Sequence, residues 1–369
     1  MMLALDAWRR GDAEAALQRL SRIRRAPWVA PATVFEAELF QATGKEAQAV
    51  DALDRKWSVL GSFWAEQARA SVLARMPETV EGWRRQRREA AGAVEGRSRW
   101  RELARWGTFE TDPQVLSELR RLVASEMARN ETSAEVAFPD GLAGELWLLA
   151  LEREAAVWDP GGFPRGDAAQ SAWTAARFRE LDVPWMAVRD ADGAWRQLGS
   201  EMPVRALPVE LQRSAYPLPM PDLVREASAA AGVHWSLLAA VAREESRWDP
   251  SALSVVGARG LMQLMPGTAR AVAARLGWEP LALDRLFEAR ANLLLGAAEL
   301  GRLERAFEGL RAPAVAAYNA GEAQARLWLE QCGERCTDGR YMAGISFTAT
   351  RDCTLTHHGQ TAFRHRGHQ

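Results

Sequence analysis

Apolar residues recur along this chain at helical spacing and almost nowhere at strand spacing. Alternation of apolar and polar positions is rare, and Val, Ile and Thr do not cluster, so the pattern predicts helices throughout. About the first 135 residues read as helix pairs. Trp8 to Leu17 runs as a helix, a tight turn at Gly11-Asp12 and a second helix, and the same arrangement recurs from Phe40 to Val50. Gly11 aligns with Gly44, Ala16 with Ala49 and Leu20 with Leu53, a step of 33 residues. That step is close to the period of tetratricopeptide-like helical hairpins, in which small residues let helices approach and glycine supplies the turn.

Pro/Gly-rich breaks follow at Phe138-Pro139-Asp140-Gly141 and from Asp159 to Pro164, and a looser stretch from Pro184 to Pro221 holds Pro203, Pro208, Pro217 and Pro219. This last stretch is the best domain boundary. Beyond Asp222 the helical pattern returns. It predicts helices at Leu223–Ala231 and Trp235–Arg247, one within Gly260–Gly277, and others at Arg290–Phe307 and Pro313–Leu329. From Cys353 to Gln369 the apolar periodicity disappears, and four of the five histidines lie there. The expected architecture is all-α: a helical-hairpin solenoid with linker helices over residues 1–205, a second helical domain over 206–352, and an atypical, disordered tail over 353–369.

Composition narrows the function without choosing it. A hydrophobic fraction of 48% over 369 residues suits an ordinary globular chain, and no apolar run approaches the ~18 residues of a membrane span. The formal net charge is −1, which gives no electrostatic footprint for nucleic acid. Twelve of the sixteen tryptophans precede residue 200 and are expected to fill helix–helix interfaces. Three cysteines, Cys332, Cys336 and Cys353, argue against a disulfide framework. An oxidising compartment would still allow a small loop between Cys332 and Cys336, although three intervening residues make it tight. Met1 to Asp6 reaches an acidic residue too early for a signal peptide, so either the protein is cytoplasmic or the chain starts downstream of its true beginning.

The chemistry concentrates between Arg243 and Ala269. A helix with apolar residues at Leu238, Val241 and Ala242 carries Glu245 on the same stripe, where a charge is costly unless it is neutralised, paired or functional. Glu244 points about 100° away around the helix and reads as a solvated charge. Asp249, beside Pro250, reads as structural. Gly257 and Gly260 follow in a loop that would let a ligand approach the backbone. Gln263 supplies a neutral donor and acceptor suited to the hydroxyl and acetamido groups of amino sugars. Further on, Tyr318 and Asn319 sit side by side shortly before Gly321, which taken alone reads as a helix ended by turn chemistry.

Together these segments resemble the catalytic domain of the soluble lytic murein transglycosylases. The pattern Glu-Ser, aromatic, Pro, Ala, Ser, then Gly-Ala-x-Gly-Leu-Met-Gln-x-Met-Pro-x-Thr-Ala is matched at every position from Glu245 to Ala269. Asn292 and Gly296 match a family helix, Ala317 to Gly321 match its Tyr-Asn-Ala-Gly motif, and Tyr216 to Pro219 match its lead-in. Two positions depart: in the late segment Ala349 stands where the family has Glu, and Cys353 where it has Tyr.

The resemblance implies a lysozyme-like helical catalytic domain and a superhelical N-terminal part. It implies cleavage of the β-1,4 bond between N-acetylmuramic acid and N-acetylglucosamine in peptidoglycan, leaving 1,6-anhydromuramic ends. Glu245 would act first as acid and then as base, with Ser246, Met262, Gln263, Tyr318 and Asn319 lining the sugar cleft. A lysozyme-like muramidase and a non-catalytic peptidoglycan-binding module with a decayed late motif are the alternatives. Cys332, Cys336, Cys353, His357 and His358 offer zinc-compatible residue types, but in a loop and a tail, so neither metal nor cofactor is expected. The implied ligand is the glycan strand, the implied location the periplasm or cell envelope. Cell-wall synthesis or division proteins are candidate partners for the solenoid.

Overall fold

A computed structural model describes residues 2–24, 28–94, 96–129, 167–180, 182–198, 202–278, 280–333, 336, 338, 341–342 and 345. The breaks at 138–141 and 159–164, the departures Ala349 and Cys353, His357, His358 and the tail 353–369 lie outside these residues. Among the described residues the regular elements are α- and 3₁₀-helices, with no strand beyond isolated bridges. The chain divides into two compact units. One comprises Met1–Val94, Met220–Ser246 and Pro250–Gln369; the other comprises Glu95–Pro219 and Arg247–Asp249.

In the first unit the N-terminal helices form as the repeat predicts. Met2–Arg9 packs on Ala13–Ser21, and Val29–Ala42 packs on Glu46–Arg55. Gly11 and Gly44 take φ values of 81° and 72° in the turns, a backbone region that glycine enters without steric cost. Asp12 caps the second helix by accepting from the Ala15 N–H at 2.9 Å, satisfying one of its orphan donors. The aligned Ala16, Ala49, Leu20 and Leu53 are all buried. Of the tryptophans before residue 200, Trp57, Trp83 and Trp106 are buried as expected, whereas Trp173 is half exposed; Trp328 is buried as well.

The later helices of this unit centre on Ala289–Ala306, which packs against Pro221–Ala231, Pro266–Arg275 and Arg311–Ala320. Two predicted helices differ from the expectation. The predicted Trp235–Arg247 helix ends at Ser246, because Arg247 and Trp248 both adopt positive φ, 53° and 72°; the stop precedes Pro250 rather than being imposed by it. The predicted Pro313–Leu329 helix is two helices, Arg311–Ala320 and Glu322–Cys332. Gly321, at φ 88° and ψ 150°, breaks the hydrogen-bond ladder between them.

The chain then returns to cover what it has built. Cys332 and Cys336 form a disulfide, so both sulfurs leave the candidate zinc set. Asp338 accepts from the Ala312 N–H at 3.0 Å, occupying a free donor in the first turn of Arg311–Ala320. Tyr341, wholly buried, donates its hydroxyl to the Ala325 carbonyl at 3.0 Å, and Met342 and Ile345 join the same core. Thiol titration of the denatured, unreduced chain should detect one of the three cysteines, and reduction should raise the count to three. Three reactive thiols before reduction would mean that Cys332 and Cys336 are unpaired.

Candidate active site

Glu245 stands in the last turn of Trp235–Ser246. Every residue of that helix from Ser236 to Arg243 is buried, so the helix is fixed by packing on all sides and its end delivers the carboxyl. Burial pushes the Glu245 carboxyl up from its ordinary 4.5 to about 7, and the neighbouring Glu244 charge adds to the rise. Loss of hydration disfavours the ionised form, and a like charge nearby disfavours it further. Glu244 itself corrects the expectation of a solvated charge. Its side chain is only 20% exposed and pairs with Arg243, itself buried.

The loop that follows is held by main-chain bonds and two side-chain amides. Gly260 donates to the Ala252 carbonyl at 2.8 Å, and Arg259 and Leu264 exchange two bonds of 3.1 Å. A side chain at Gly260 would meet the Leu286 carbonyl oxygen at 2.0 Å and Asn292 Nδ2 at 2.5 Å, and φ there is 70°. Glycine at this position is therefore required by the loop itself, and not only by access for a ligand.

The Ser246 hydroxyl lies 2.9 Å from the Leu261 carbonyl oxygen and 3.2 Å from that of Ala242, tying the helix end to the loop. Met262 is completely buried, its side chain lying against Gly296. Gln263, at φ 44°, donates its amide N–H groups to the Gly260 and Ala252 carbonyls at 2.9 and 3.1 Å. Its nitrogen is thus engaged within the loop. Tyr318 donates its hydroxyl to the Met262 carbonyl at 2.9 Å. Burial pushes its pKa well up, and the charges of Glu245 and Glu299 add to the rise. Asn319 is exposed at the end of its helix. The structure thus joins Ser246, Met262, Gln263 and Tyr318 through one loop, and Glu245 precedes Ser246 at the helix end.

The residue whose part the sequence reading did not identify is Asn292. It is wholly buried and makes three bonds. Its Oδ1 accepts from the Met262 N–H at 2.7 Å, and its Nδ2 donates to the Leu286 and Arg259 carbonyls at 2.7 and 2.9 Å. A lone amide followed by Leu293-Leu294-Leu295 was the available signal.

The sequence that builds this site is matched among known proteins. Residues 222–338 correspond to the Transglycosylase SLT domain. The match takes in the segment that holds Glu245, Asn292 and Tyr318. The soluble lytic murein transglycosylase of Escherichia coli K12 is 26% identical over 204 residues, covering 55% of this chain and 31% of that protein. The membrane-bound lytic murein transglycosylase F 1 of Alkalilimnicola ehrlichii is 38% identical over 102 residues, covering 26% of this chain and 19% of that protein. The chain therefore spans less than a third of the length of these curated relatives. In fold it resembles an inactive glutamate-to-glutamine mutant of lytic transglycosylase Slt from Pseudomonas aeruginosa. The TM-score is 0.55 at 22% identity, over 94% of this chain and 53% of that one. It also resembles the 70 kDa soluble lytic transglycosylase of Escherichia coli, with a TM-score of 0.50 at 20% identity over 98% and 61% of the respective chains.

Two consequences of the SLT-domain geometry can be measured. Gly260→Ala should destabilise the chain by on the order of 2–4 kcal/mol, because backbone strain and a steric clash coincide; a denaturation midpoint equal to the parent's would reject this. The second concerns Glu245, whose pKa rises on folding. Between 4.5 and about 7 the folded state holds more protons than the unfolded state, so stability falls as pH rises through that window. Glu245→Gln should therefore melt higher than the parent at about pH 8 and lose that advantage near pH 4. A pH-independent difference in melting temperature would contradict the assignment.

Proposed function

We propose that this chain is a lytic transglycosylase of peptidoglycan, with Glu245 as its single acid/base. The observation that carries the reading is the placement of one largely buried carboxyl, held near neutral pKa, at the edge of the loop that matches the SLT domain. A group with that pKa can both give and take a proton at neutral pH. Glu245 protonates the glycosidic oxygen as the C1–O bond of N-acetylmuramic acid breaks and N-acetylglucosamine leaves. The carboxylate so formed takes the proton from the muramic C6 hydroxyl, whose oxygen closes on C1. The product is a 1,6-anhydro sugar, the carboxyl ends protonated as it began, and no water is consumed.

A hydrolase with two carboxylates would need a second acid placed across the bond. Glu244 does not offer one, since its carboxylate is engaged with Arg243. Ser246, Met262, Gln263, Tyr318 and Asn319 are assigned to the cleft. Of these, Asn319 offers an exposed side chain to the sugar, and Met262 contributes through its backbone. The relatives named for lytic murein transglycosylase activity support peptidoglycan as substrate. A Glu-to-Gln change accompanies inactivity in the Pseudomonas protein, which is in keeping with an essential glutamate here. The disulfide supports the cell envelope, because such bonds persist in oxidising compartments. No described helix is long and apolar enough to cross a membrane. We further propose that the hairpins formed by Met2–Ser21 and Val29–Arg55 belong to a solenoid that meets cell-wall synthesis or division proteins.

The decisive experiment is digestion of cell-wall sacculi by the parent and by Glu245→Gln. The parent should release 1,6-anhydromuramic ends with few reducing muramic ends. The variant should still bind glycan but turn over on the order of 10²–10⁴ times more slowly. Predominantly reducing ends would make the protein a muramidase, and parent-like turnover by the variant would remove Glu245 from the mechanism.

A further inference from the structure

We infer that Asn292 is the positioning residue of the site: its buried amide fixes the peptide of Met262, and through it the hydroxyl of Tyr318. The inference rests on the acid/base reading of Glu245 but is carried by different observations. Asn292 projects from Ala289–Ala306, whose packing against three other helices fixes it independently of the loop. Its amide spends both N–H groups and its oxygen on main-chain atoms, at distances of 2.7 to 2.9 Å, with no part of the side chain exposed. The two carbonyls it donates to, of Arg259 and Leu286, lie on the loop and on the short helix Leu283–Phe287. One side chain therefore ties three segments together.

Met262 is the point at which this grip reaches the chemistry. Asn292 holds its N–H, and Gly296, one turn further along the same helix, receives its side chain: a Cβ at Gly296 would lie 2.6 Å from Met262 Cγ. Its carbonyl is the acceptor for Tyr318. A residue held at its N–H and its side chain presents its carbonyl in one direction, and that direction decides where the Tyr318 hydroxyl rests. With its proton committed to Met262, the Tyr318 oxygen faces its other neighbours as an acceptor, which favours a protonated partner. The charges whose fields reach Tyr318 are those of Glu245 and Glu299, and Glu244 acts on Glu245. Asn292 carries no charge, so its influence is by geometry alone.

The test compares Asn292→Ser, Tyr318→Phe and the double variant on sacculi across a pH series. Asn292→Ser should lower kcat on the order of 10–100-fold, as misplacement by about an ångström does, with little change in KM. Because Glu245 must start protonated, activity falls as pH rises through its pKa. Loosening Tyr318 admits water, and Tyr318→Phe removes an acceptor that favours the protonated acid; each lowers that pKa, so both single variants should move the high-pH limb to lower pH. The double variant should be no worse than the worse single one. Parent-like kcat and limb in a folded Asn292→Ser chain, or independent multiplicative losses in the double variant, would overturn the proposal.

Should Asn292→Ser not fold, hydrogen exchange on the parent chain decides. The Met262 amide should be protected like the interior of Ala289–Ala306, and rapid exchange there would overturn the assignment. Glu245→Gln with full activity would instead refute the acid/base reading, while leaving the exchange result to judge Asn292.

Discussion

A carboxyl delivered by the end of a buried helix loses most of the hydration that would stabilise its charge, and at Glu245 that loss sets the chemistry. Eight residues of the same helix are buried before it, so the group cannot swing into bulk water without moving packed side chains. Glu244, tethered by Arg243, adds its field from a fixed direction. Removing water from a carboxyl is unfavourable to stability above its raised pKa, and the packing of the surrounding helices has to offset that.

The loop facing this carboxyl has little regular structure of its own, and it is kept in place by borrowed partners. Beyond the few main-chain bonds it makes to itself, its backbone groups are satisfied by the side chains of Asn292, Tyr318, Ser246 and Gln263. Buried main-chain groups must find partners somewhere, and here Ser246, Gln263, Asn292 and Tyr318 serve that need. The two glycines differ in reason. Gly260 is required by a carbonyl and an amide pressed against it, and Gly296 by the Met262 side chain.

The all-α character was legible because apolar spacing survives wherever a helix buries one face, and Gly11, Gly44, Ala16 and Leu20 sit where the repeat predicts. Glu245 was legible for the same reason, as an acid on an apolar stripe. The end of its helix was not: the left-handed residues Arg247 and Trp248 are not types that announce such a turn, whereas Pro250 is. Gly321 was visible as a glycine, but periodicity on either side of it runs on in phase and conceals the break. The partners of Gln263 and Glu244 were illegible because they depend on residues brought together by the loop's path, or on a neighbour's burial, neither of which spacing encodes.

Asp338 contacts Ala312 across 26 positions of sequence, and this has a consequence in time. The helix that carries Tyr318 leaves the ribosome with its first turn uncapped and stays so until the next helix and the cysteine pair beyond it have emerged. Synthesis proceeds at about 5–20 residues per second, so the interval is on the order of seconds, far longer than a helix needs to form. The Tyr318 helix therefore samples its shape many times before the chain supplies what finishes it. A ribosome-bound chain halted before residue 338 would hold every residue assigned to the cleft and still lack the finished site.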